Sequence, residues 1–588
     1  MPAFTLDAAH VVDDLRALVC AEYAVQRNKF AEQRALPQNE RVEHGTCWDG
    51  LRFAGLDEQG RAKFQHRGND SRLREGDLVT LSHAGALDAA QAWIYREESG
   101  SLWLSSEKGF AAALFAMAGE WFMDEAFLDL QSHYLAALDR LPSSEIGQER
   151  ILPLLMGTAE PGFDEEEYYA TREGLGTPPA AWEDSQREAI AGCLAAEHCY
   201  LVQGPPGTGK TRVLAQVVRQ LVQRGERVLI TGFTHRAIDN ALAAAAREIG
   251  DRPRVARFGA ALHRRDEIYD LFESYADSPF PSLTEGGWVA AATPFALRKR
   301  LPGVEFDTIV IDEAGQMTTP LAIMAMLAGR KYLLFGDHQQ LGPVVVSRPR
   351  REAQFAGIFH ALRSWETQGT RLDVTYRMNA SLTSWPNETF YQGGLTAAPA
   401  VAGRRLACAV PDHTPAWLHP VLDPRSPLVW LALPHQHSRT VSGEEAGLAA
   451  EILRALSDSG IAPEAIAVVT PYRRQARRLR HCLETLMPGH PWRGCVIDTV
   501  ERMQGQEREV ILLSLCASQP WFIRRQAEFL FDPRRLNVAA TRARTKLIIL
   551  ASDSLLNTPL HDTDLAEDQA LFQSLHRCAL RLPAGTSS

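Results

Sequence analysis

The chain has 588 residues, a net charge of −10 and a pI near 6.0. Its length predicts about four domains of about 150 residues each. Hydrophobic residues make up 45% and charged residues 23% of the chain, as in an ordinary globular protein. No apolar run approaches the ~18 residues of a membrane-spanning helix, which excludes a helical membrane protein. The first ten residues lack a basic segment followed by an apolar core, so we expect no signal peptide and a cytoplasmic location.

The nine cysteines are scattered, and none has Cys-x-x-Cys spacing, which argues against a zinc ribbon or an iron–sulfur cluster. His435 and His437 have no cysteine or acidic neighbours in sequence, and we expect them in a solvated loop. A negative total charge is not typical of a nucleic-acid binder, but a global sum says little about a local groove. Only seven of the 62 basic residues are lysines, so a lysine in a motif is more informative than an arginine.

The first third of the chain changes character three times. Residues 1–35 form one amphipathic pattern that Pro37 ends, which predicts a long helix. Residues 38–108 hold short β-rich runs between turn signals, which predicts a small barrel. Residues 110–139 are again predicted to be helical, and the proline-rich residues 141–180 resemble a linker with a solvated acidic run.

From about residue 181, apolar strand-like runs alternate with helical patterns, which predicts parallel sheets flanked by helices. Residues 396–427 are rich in Ala, Pro and Gly and are predicted to be a loop or insertion. The first series has candidate strands at 200–203, 228–232, 288–292, 307–311 and 332–335. The second has candidate strands near 372–375, 428–432, 466–470, 495–498, 510–514 and 547–551.

The segment 204–211, GPPGTGKT, fits the phosphate-loop pattern. Its glycines let the backbone turn its N–H groups toward phosphate oxygens. Lys210 has the reach and charge for the β- and γ-phosphates, and the Thr211 hydroxyl is a suitable ligand for Mg²⁺. A buried strand precedes the loop and a helix follows it, so the positive end of the helix faces the phosphates.

Asp312-Glu313 follows the buried run Thr308–Ile311, at the strand end where ligands bind in open α/β sheets. An aspartate there can hold Mg²⁺ through water, and a neighbouring glutamate can deprotonate an attacking water. Gln340 follows the strand near 332–335 and is a candidate sensor of the γ-phosphate, although such a residue more often lies in a turn.

Other polar residues in the pattern are individually weaker signals. A glutamine such as Gln186 can bind adenine through its donor–acceptor amide, or it can be an exposed helix residue. Arg377 and Arg542 are candidate arginine fingers, and Tyr376 could stack on a base. A single arginine in such a sequence is more often an ordinary surface charge.

Taken in order, these segments resemble the full motif set of superfamily 1 helicases. The closest resemblance is to the 5′-to-3′ branch that contains the nonsense-mediated-decay helicase and the helicase part of the eukaryotic Okazaki-fragment helicase–nuclease. The resemblance covers about residues 180–552. The matching segments are Gln186, GPPGTGKT, TGFTHRAIDN (231–240), AAATP (290–294), IDEAGQ (311–316), GDHQQLGP (336–343), TYRMN (375–379), VVTPYRRQ (468–475), DTVERMQGQE (498–507) and RRLNVAATRAR (534–544).

The resemblance implies an α/β fold of two tandem RecA-like P-loop domains with parallel sheets, preceded by a helical stalk and a small β-barrel. The implied divisions are 1–36 (stalk helix), 37–109 (barrel), 110–180 (helical stalk and linker), 181–367 (first RecA-like domain) and 368–588 (second RecA-like domain). The sequence departs from the family pattern at two positions. Thr375 stands where many members of the family have Gln, and Gly342 replaces a common proline. Neither change removes a catalytic group. The nuclease half of the Okazaki-fragment enzyme has no counterpart in this sequence.

The resemblance also implies a role for each matching residue. The implied catalytic residues are Lys210, Glu313 as general base, Gln340 as coupler, and the fingers Arg377 and Arg542. Mg²⁺ is implied at Thr211 and Asp312. Positions implied to bind ATP are Gln186, Gly204, Pro205, Pro206, Gly207, Thr208, Gly209, Lys210, Thr211, Tyr376 and Glu507. Positions implied to touch the backbone of a single strand are Thr234, Thr293, Pro294, Thr470 and Thr499.

Three arginine-rich clusters could line a phosphate track or could be solvated faces. They are Arg348-Arg350-Arg351, Arg298-Lys299-Arg300 and the helical run of Arg473, Arg474, Arg477, Arg478 and Arg480.

We therefore expect an ATP- and Mg²⁺-dependent helicase or translocase, a monomer away from membranes, that moves 5′-to-3′ on single-stranded DNA. An RNA helicase with the same engine remains open. So does a nucleic-acid-dependent ATPase subunit that does not unwind.

Overall fold

The computed structural model describes residues 7–69, 71–83, 86–98, 100–106, 109–116, 119–159, 162–175, 182–259, 268–347, 357–362, 369–489 and 491–583. They form a helical stalk, a closed barrel and two parallel sheets, each sheet covered by helices. The predicted fold class is confirmed. Within these ranges, none of the helices has both the length and the apolar character to cross a bilayer.

The predicted long N-terminal helix spans Ala8–Ala35. Its buried face contains Val12, Leu18, Val19 and Tyr23. Asp7 caps the first turn, and the helix ends at Leu36, directly before Pro37. The stalk packs against Gln131–Arg140 and shares the hydrophobic core of the first sheet.

The barrel has six strands in the order β1-β2-β5-β4-β3-β6. Their bounds are β1 Cys47–Leu56, β2 Ala62–Gln65, β3 Leu78–His83, β4 Ala86–Glu98, β5 Ser101–Ser105 and β6 Trp121–Glu125.

The closing strand β6 lies in the stretch that was predicted to be helical. Trp121 and Met123 point into the barrel core, while Asp124 on the other face pairs with Arg34 and Arg41 of the N-terminal helices. Because both faces of β6 are covered, its sequence lacks the alternation that marks a half-exposed strand. The barrel therefore extends past residue 109, and the helical prediction holds only for Gln131–Arg140.

The first parallel sheet has eight strands in the order β10-β9-β11-β8-β12-β13-β7-β14. The five strands expected here are present. Three short ones, β9, β10 and β14, were not predicted. The bounds are β7 Cys199–Gln203, β8 Arg227–Gly232, β9 Val255–Phe258, β10 Asp270–Phe272, β11 Trp288–Ala291, β12 Phe306–Asp312, β13 Gly329–Gly336 and β14 Thr370–Arg371.

The second parallel sheet has six strands in the order β19-β18-β20-β21-β17-β22. Five of the six strands expected in the second series are present here, and the short C-terminal strand β22 adds an edge. The bounds are β17 Leu428–Leu433, β18 Ile466–Thr470, β19 Val496–Thr499, β20 Arg508–Ser514, β21 Ala543–Ser552 and β22 Leu580–Pro583.

The strand predicted near 372–375 does not join the second sheet. β14 pairs with β7 in the first sheet, and β15 (Val374–Thr375) pairs only with β16 (Thr396–Ala397). The first sheet therefore extends past the expected domain boundary at 367. Two-residue strands carry too little periodicity for a sequence pattern to assign them to a sheet.

The helices fill the connections between strands, and several lie where a linker or loop was expected. Asp164 of the acidic run caps Glu165–Gly174, which has no buried residue. The helices after the stalk are Gln38–Glu43, Gln131–Arg140, Leu152–Met156, Glu165–Gly174, Asp184–Ala195, Lys210–Gln223, His235–Ile249, Pro294–Arg300, Thr319–Met326, Ile358–Ala361, Ala380–Phe390, Pro399–Ala402, His419–Leu422, Gly443–Asp458, Arg473–Leu486, Pro520–Arg525, Ala527–Leu530, Pro533–Ala540, Asp553–Asn557 and Thr563–Cys578.

Candidate nucleotide site and nucleic-acid cleft

The phosphate loop connects β7 to helix Lys210–Gln223 at the carboxyl edge of the first sheet. Gly209 has φ of 82°, and a Cβ atom there would lie 2.8 Å from the side-chain nitrogen Nε2 of Gln186. The loop therefore needs glycine at this position for its backbone shape and for the close approach of Gln186. The N-terminus of the helix faces the cleft between the sheets, as an anion site requires.

Lys210 contacts the two acidic residues at the carboxyl end of β12. Its ammonium group donates to Oδ1 of Asp312 at 2.6 Å and to Oε1 of Glu313 at 2.9 Å. Burial favours a lower pKa for Lys210, but the two carboxylates raise that pKa above its ordinary value. Glu313 has φ of 52°, a strained left-handed conformation of the kind that clusters at functional sites.

The two carboxylates share one cation, and their pKa values move in opposite directions. Burial raises the pKa of Asp312, while Lys210 outweighs the effect of burial on Glu313 and lowers its pKa. The cluster thus has more negative than positive charge. With the nearby Thr211 hydroxyl it supplies hard oxygen donors, and this donor set fits Mg²⁺.

Gln186 is buried and binds the phosphate loop directly. Its side-chain amide donates to the carbonyl of Thr208 at 3.0 Å and completes a capping box with Glu183. Tyr376 also contacts the loop, because its N–H donates to the carbonyl of Gly207, and its hydroxyl donates to Glu183. The two residues predicted to hold adenine therefore both bind the phosphate loop. Glu183 links them and was not predicted.

Arg377 is drawn toward the second sheet by Glu507. Its Nε atom donates to Glu507 at 2.6 Å, and a terminal nitrogen donates to the carbonyl of Thr541 at 3.0 Å. Arg544 also pairs with Glu507. Burial favours a higher pKa for Glu507, but the guanidinium groups of Arg377 and Arg544 lower it to about 2.

Arg542 is the more deeply buried of the two predicted fingers, with 2% of its surface exposed. It donates to the carbonyl of Val538 and, at 3.3 Å, to Oε1 of Gln340, which lies in the turn after β13. Burial, followed by repulsion from Arg377, lowers the pKa of Arg542 to about 9. Two guanidinium groups held close together with limited counter-charge make this part of the cleft favourable for an anion.

The residues predicted to touch a single strand are only partly accessible. Thr234 and Thr293 cap the helices that follow β8 and β11, and their hydroxyls accept backbone N–H groups. Pro294 is buried as the first residue of its helix. Thr470 and Thr499 lie side by side at the ends of β18 and β19, and both are buried. Thr470 has no exposed surface and its hydroxyl is buried, so the strand contact that the resemblance implies for it stays a prediction.

A cleft of about 2430 Å³ joins the phosphate loop, the second sheet and the barrel. Its wall combines basic with aromatic side chains, although the whole chain is acidic. The basic residues outside the nucleotide site are Lys29, Arg61, Arg74, Arg236, Lys299, Arg300, Arg473, Arg502, Arg534 and Arg535, and the aromatic residues include Trp93, Tyr95, Phe233, Phe295 and Phe529. Aromatic faces and cationic side chains along one groove suit a single strand of nucleic acid.

The predicted arginine clusters have different surroundings. Lys299, Arg300 and Arg473 line the cleft, whereas Arg474 pairs with Glu43 on the outside. Burial, and then repulsion from Arg502, lowers the pKa of Arg473. The cluster at 348–351 lies outside the described residues.

The expectation of a solvated loop is wrong for His435. Its ring contacts Ser518 at 2.8 Å and Glu445 at 2.9 Å, and all three residues are buried. Glu445 also accepts from the Ser514 hydroxyl at 2.6 Å. The two residues that contact His435 are 10 and 83 positions away in sequence, so local composition gave no sign of this network.

Comparisons with known proteins agree with this geometry. Two family models, both described as AAA domain, match the chain. One matches residues 181–273 and 289–348, and the other matches residues 356–554. The DNA replication ATP-dependent helicase/nuclease DNA2 of Mus musculus is 30% identical over 468 residues, covering 72% of this chain and 42% of that protein. The DNA replication ATP-dependent helicase/nuclease JHS1 of Arabidopsis thaliana is 30% identical over 387 residues, covering 64% of this chain and 28% of that protein.

The DNA-binding protein SMUBP-2 of Mesocricetus auratus is 28% identical over 442 residues, covering 64% of this chain and 43% of that protein. The arterivirus nonstructural protein 10 helicase overlaps 88% of this chain and 80% of its own, with 13% identity and a TM-score of 0.37. The chain thus spans less than half the length of these curated relatives.

Two parallel sheets that place a phosphate loop and two arginines around one cleft define a P-loop protein with paired α/β domains. The matches to AAA-domain models and to helicase relatives agree with this class. The chain is similar to superfamily 1 helicases, and to the DNA2 helicase/nuclease in particular.

Proposed function

We propose that the protein is an ATP-driven motor that moves 5′-to-3′ along single-stranded nucleic acid, DNA in preference to RNA, and separates strands. The observation that carries the proposal is the composition of one cleft. Lys210 and Glu313 enter it from the first sheet, Arg377 and Arg542 enter it from the opposite side, and basic and aromatic side chains continue the cleft to the barrel. Because the ATP site and the strand-binding groove share their walls, a conformational change at one site can change binding at the other.

The proposed chemistry begins with the charge around Lys210. The phosphates of ATP compete with Asp312 and Glu313 for the ammonium group, and their binding frees Glu313 Oε1 to accept a proton from the attacking water. Arg377 and Arg542 neutralise charge that develops on the γ-phosphoryl oxygens. Thr211 and Asp312 would hold Mg²⁺, which supplies further neutralisation of phosphate charge when bound.

Gln186 and Tyr376 are proposed to hold adenine, and Glu507 is proposed to bind the ribose after releasing one of its arginines. Thr234, Thr293 and Thr499 are proposed to guide the strand together with cleft-lining residues such as Lys299. Contacts through small hydroxyls, backbone groups and flexible cations fix the strand without reading its sequence, as a stepping motor requires.

Unwinding of tailed duplexes tests the proposal. We expect ATP-dependent separation of DNA with a 5′ tail, and little separation of the same duplex with a 3′ tail or of RNA. Unwinding of 3′-tailed duplexes alone would refute the polarity. Failure to unwind any duplex, despite stimulated ATP hydrolysis, would favour a switch subunit.

A matched pair of variants at the two ends of β12 separates an effect on catalysis from an effect on folding. Glu313→Gln should bind ATP without hydrolysing it and should remain trapped on the strand. Asp307→Asn, at the opposite end of β12 where it pairs with Arg227, should behave as wild type. Rapid release of Glu313→Gln in the presence of ATP would count against the motor.

A further inference from the structure

A ring of contacts, made of hydrogen bonds and one step along the chain, joins the two domains beside the nucleotide site. Its centre is Tyr391, which directly follows helix Ala380–Phe390 and belongs to the hydrophobic core of the second sheet. The Tyr391 ring is 1% exposed. Its hydroxyl donates to Oδ2 of Asp337 at 2.8 Å and accepts from the side-chain amide of Asn537 at 3.0 Å.

Asp337 connects this hydroxyl to the nucleotide-binding edge of the first sheet. It directly follows β13 and is 3% exposed. Its other oxygen accepts from the side chain of Gln203, the last residue before the phosphate loop, at 3.2 Å. Oδ2 also accepts from the amide of Gln340 at 2.8 Å. Asp337 is thus fixed by the first domain on one side and by Tyr391 on the other.

Asn537 connects the hydroxyl to Arg542. It lies in helix Pro533–Ala540, and its carbonyl accepts the N–H and the hydroxyl of Thr541, the residue before Arg542. Arg542 in turn donates to Gln340, which closes the ring back to Asp337. The side-chain amide of Asn537 also donates to the carbonyl of Gln339 at 2.8 Å.

We propose that Tyr391 is a positioning residue that couples Gln340 to Arg542, so that movement at the nucleotide site moves the helix that carries the arginine. The inference rests on the proposed function and adds to it a residue that no motif contains. A buried hydroxyl that donates to one domain and accepts from the other cannot keep both partners if the domains shift independently. Burial and the neighbouring Asp337 raise the pKa of Tyr391, so the hydroxyl stays a donor at neutral pH.

The test compares two tyrosine-to-phenylalanine variants. Tyr391→Phe keeps the ring and deletes the hydroxyl. Tyr332→Phe deletes an equally buried hydroxyl whose bonds, to the carbonyls of Met326 and Gly329, stay within the first domain. For ATP hydrolysis stimulated by single-stranded DNA, we expect Tyr391→Phe to lower kcat about tenfold, equal to about 1.4 kcal/mol, with an unchanged KM for ATP. Tyr332→Phe should lower only the melting temperature.

A second readout does not depend on nucleic acid. Dyes on the exposed Cys20 and Cys578 report the distance between the stalk and the second domain. A non-hydrolysable ATP analogue should change this distance in wild type and in Tyr332→Phe, and should change it less in Tyr391→Phe and Asn537→Ala. Wild-type kcat and wild-type distance change in Tyr391→Phe would overturn the proposal. A wild-type protein that neither nucleic acid stimulates would overturn the proposed function instead, and the distance change would still decide the role of Tyr391.

Discussion

The ammonium group of Lys210 lies 2.6 Å from Oδ1 of Asp312, and both side chains are largely buried. Because Glu313 contacts the same ammonium group, removing Lys210 leaves two buried carboxylates without their shared cation. Breaking a buried pair in this way typically costs about 3–5 kcal/mol of stability. The residue that is expected to bind phosphate therefore also stabilises the nucleotide-free protein.

We predict that Lys210→Ala lowers the free energy of unfolding by about 3 kcal/mol, and that adding Asp312→Asn restores part of this loss. Urea denaturation of wild type, both single variants and the double variant measures the coupling. If the double variant is as unstable as the sum of the two single changes, Lys210 does not compensate Asp312 in solution.

Arg542 and Arg544 are two residues apart but have different surroundings. Arg542 is buried against Gln340, whereas Arg544 is partly exposed and pairs with Glu507 and Glu509. We predict that Arg542→Ala lowers kcat for ATP hydrolysis by about 10³-fold, as loss of an arginine finger does. Arg544→Ala should mainly raise KM for ATP, because Arg544 holds Glu507, which is proposed to bind the ribose. Steady-state kinetics distinguish the roles of the two arginines, and melting temperatures show whether either variant is unfolded. Equal losses of kcat in the two variants would contradict the assignment.

Glu507 should make stability depend on pH. Its folded-state pKa of about 2 lies below the ordinary value of 4.5, because Arg377 and Arg544 outweigh the effect of burial. Its ionised form therefore adds stability that is fully present above pH 4.5 and is lost as the pH falls toward 2. We predict that the melting temperature of Glu507→Gln falls less between pH 4.5 and pH 2 than that of wild type. A parallel decline in the two proteins would show that Glu507 is not held by its arginines.

Arg473 should contribute to strand binding through phosphate contact. It lines the cleft beside Arg502, and the mutual repulsion of the two favours an anion between them. We predict that Arg473→Ala weakens binding of single-stranded DNA and reduces the slope of log affinity against log salt by about 0.7. Arg425→Ala is the control, because Arg425 is exposed and pairs with Asp423 outside the cleft. Equal salt slopes in Arg473→Ala and wild type would exclude a phosphate contact.

The parts of the fold that sequence could predict are those with local signals. The five long strands of each sheet are apolar runs that reappear within about four residues of their predicted bounds. The phosphate loop and the Asp312-Glu313 pair follow their strands directly, so their place at the carboxyl edge was predictable from chain order.

The remaining features depend on contacts between distant residues. Strand β6 is covered on both faces by the barrel core and the stalk, so its pattern did not distinguish it from a helix. His435 is buried because Glu445 and Ser518 reach it from other elements. The bond from Tyr391 to Asp337 joins residues 54 positions apart, and no local pattern marks either partner as part of a coupling path.

The most direct test of the central claim is the rate of ATP hydrolysis with no nucleic acid, with single-stranded DNA and with single-stranded RNA, with Lys210→Ala as the inactive control. We predict strong stimulation by DNA, weak stimulation by RNA and no hydrolysis by the variant. Stimulation by RNA alone would reverse the substrate assignment. A rate that neither nucleic acid changes would contradict the claim that the cleft couples ATP hydrolysis to a bound strand.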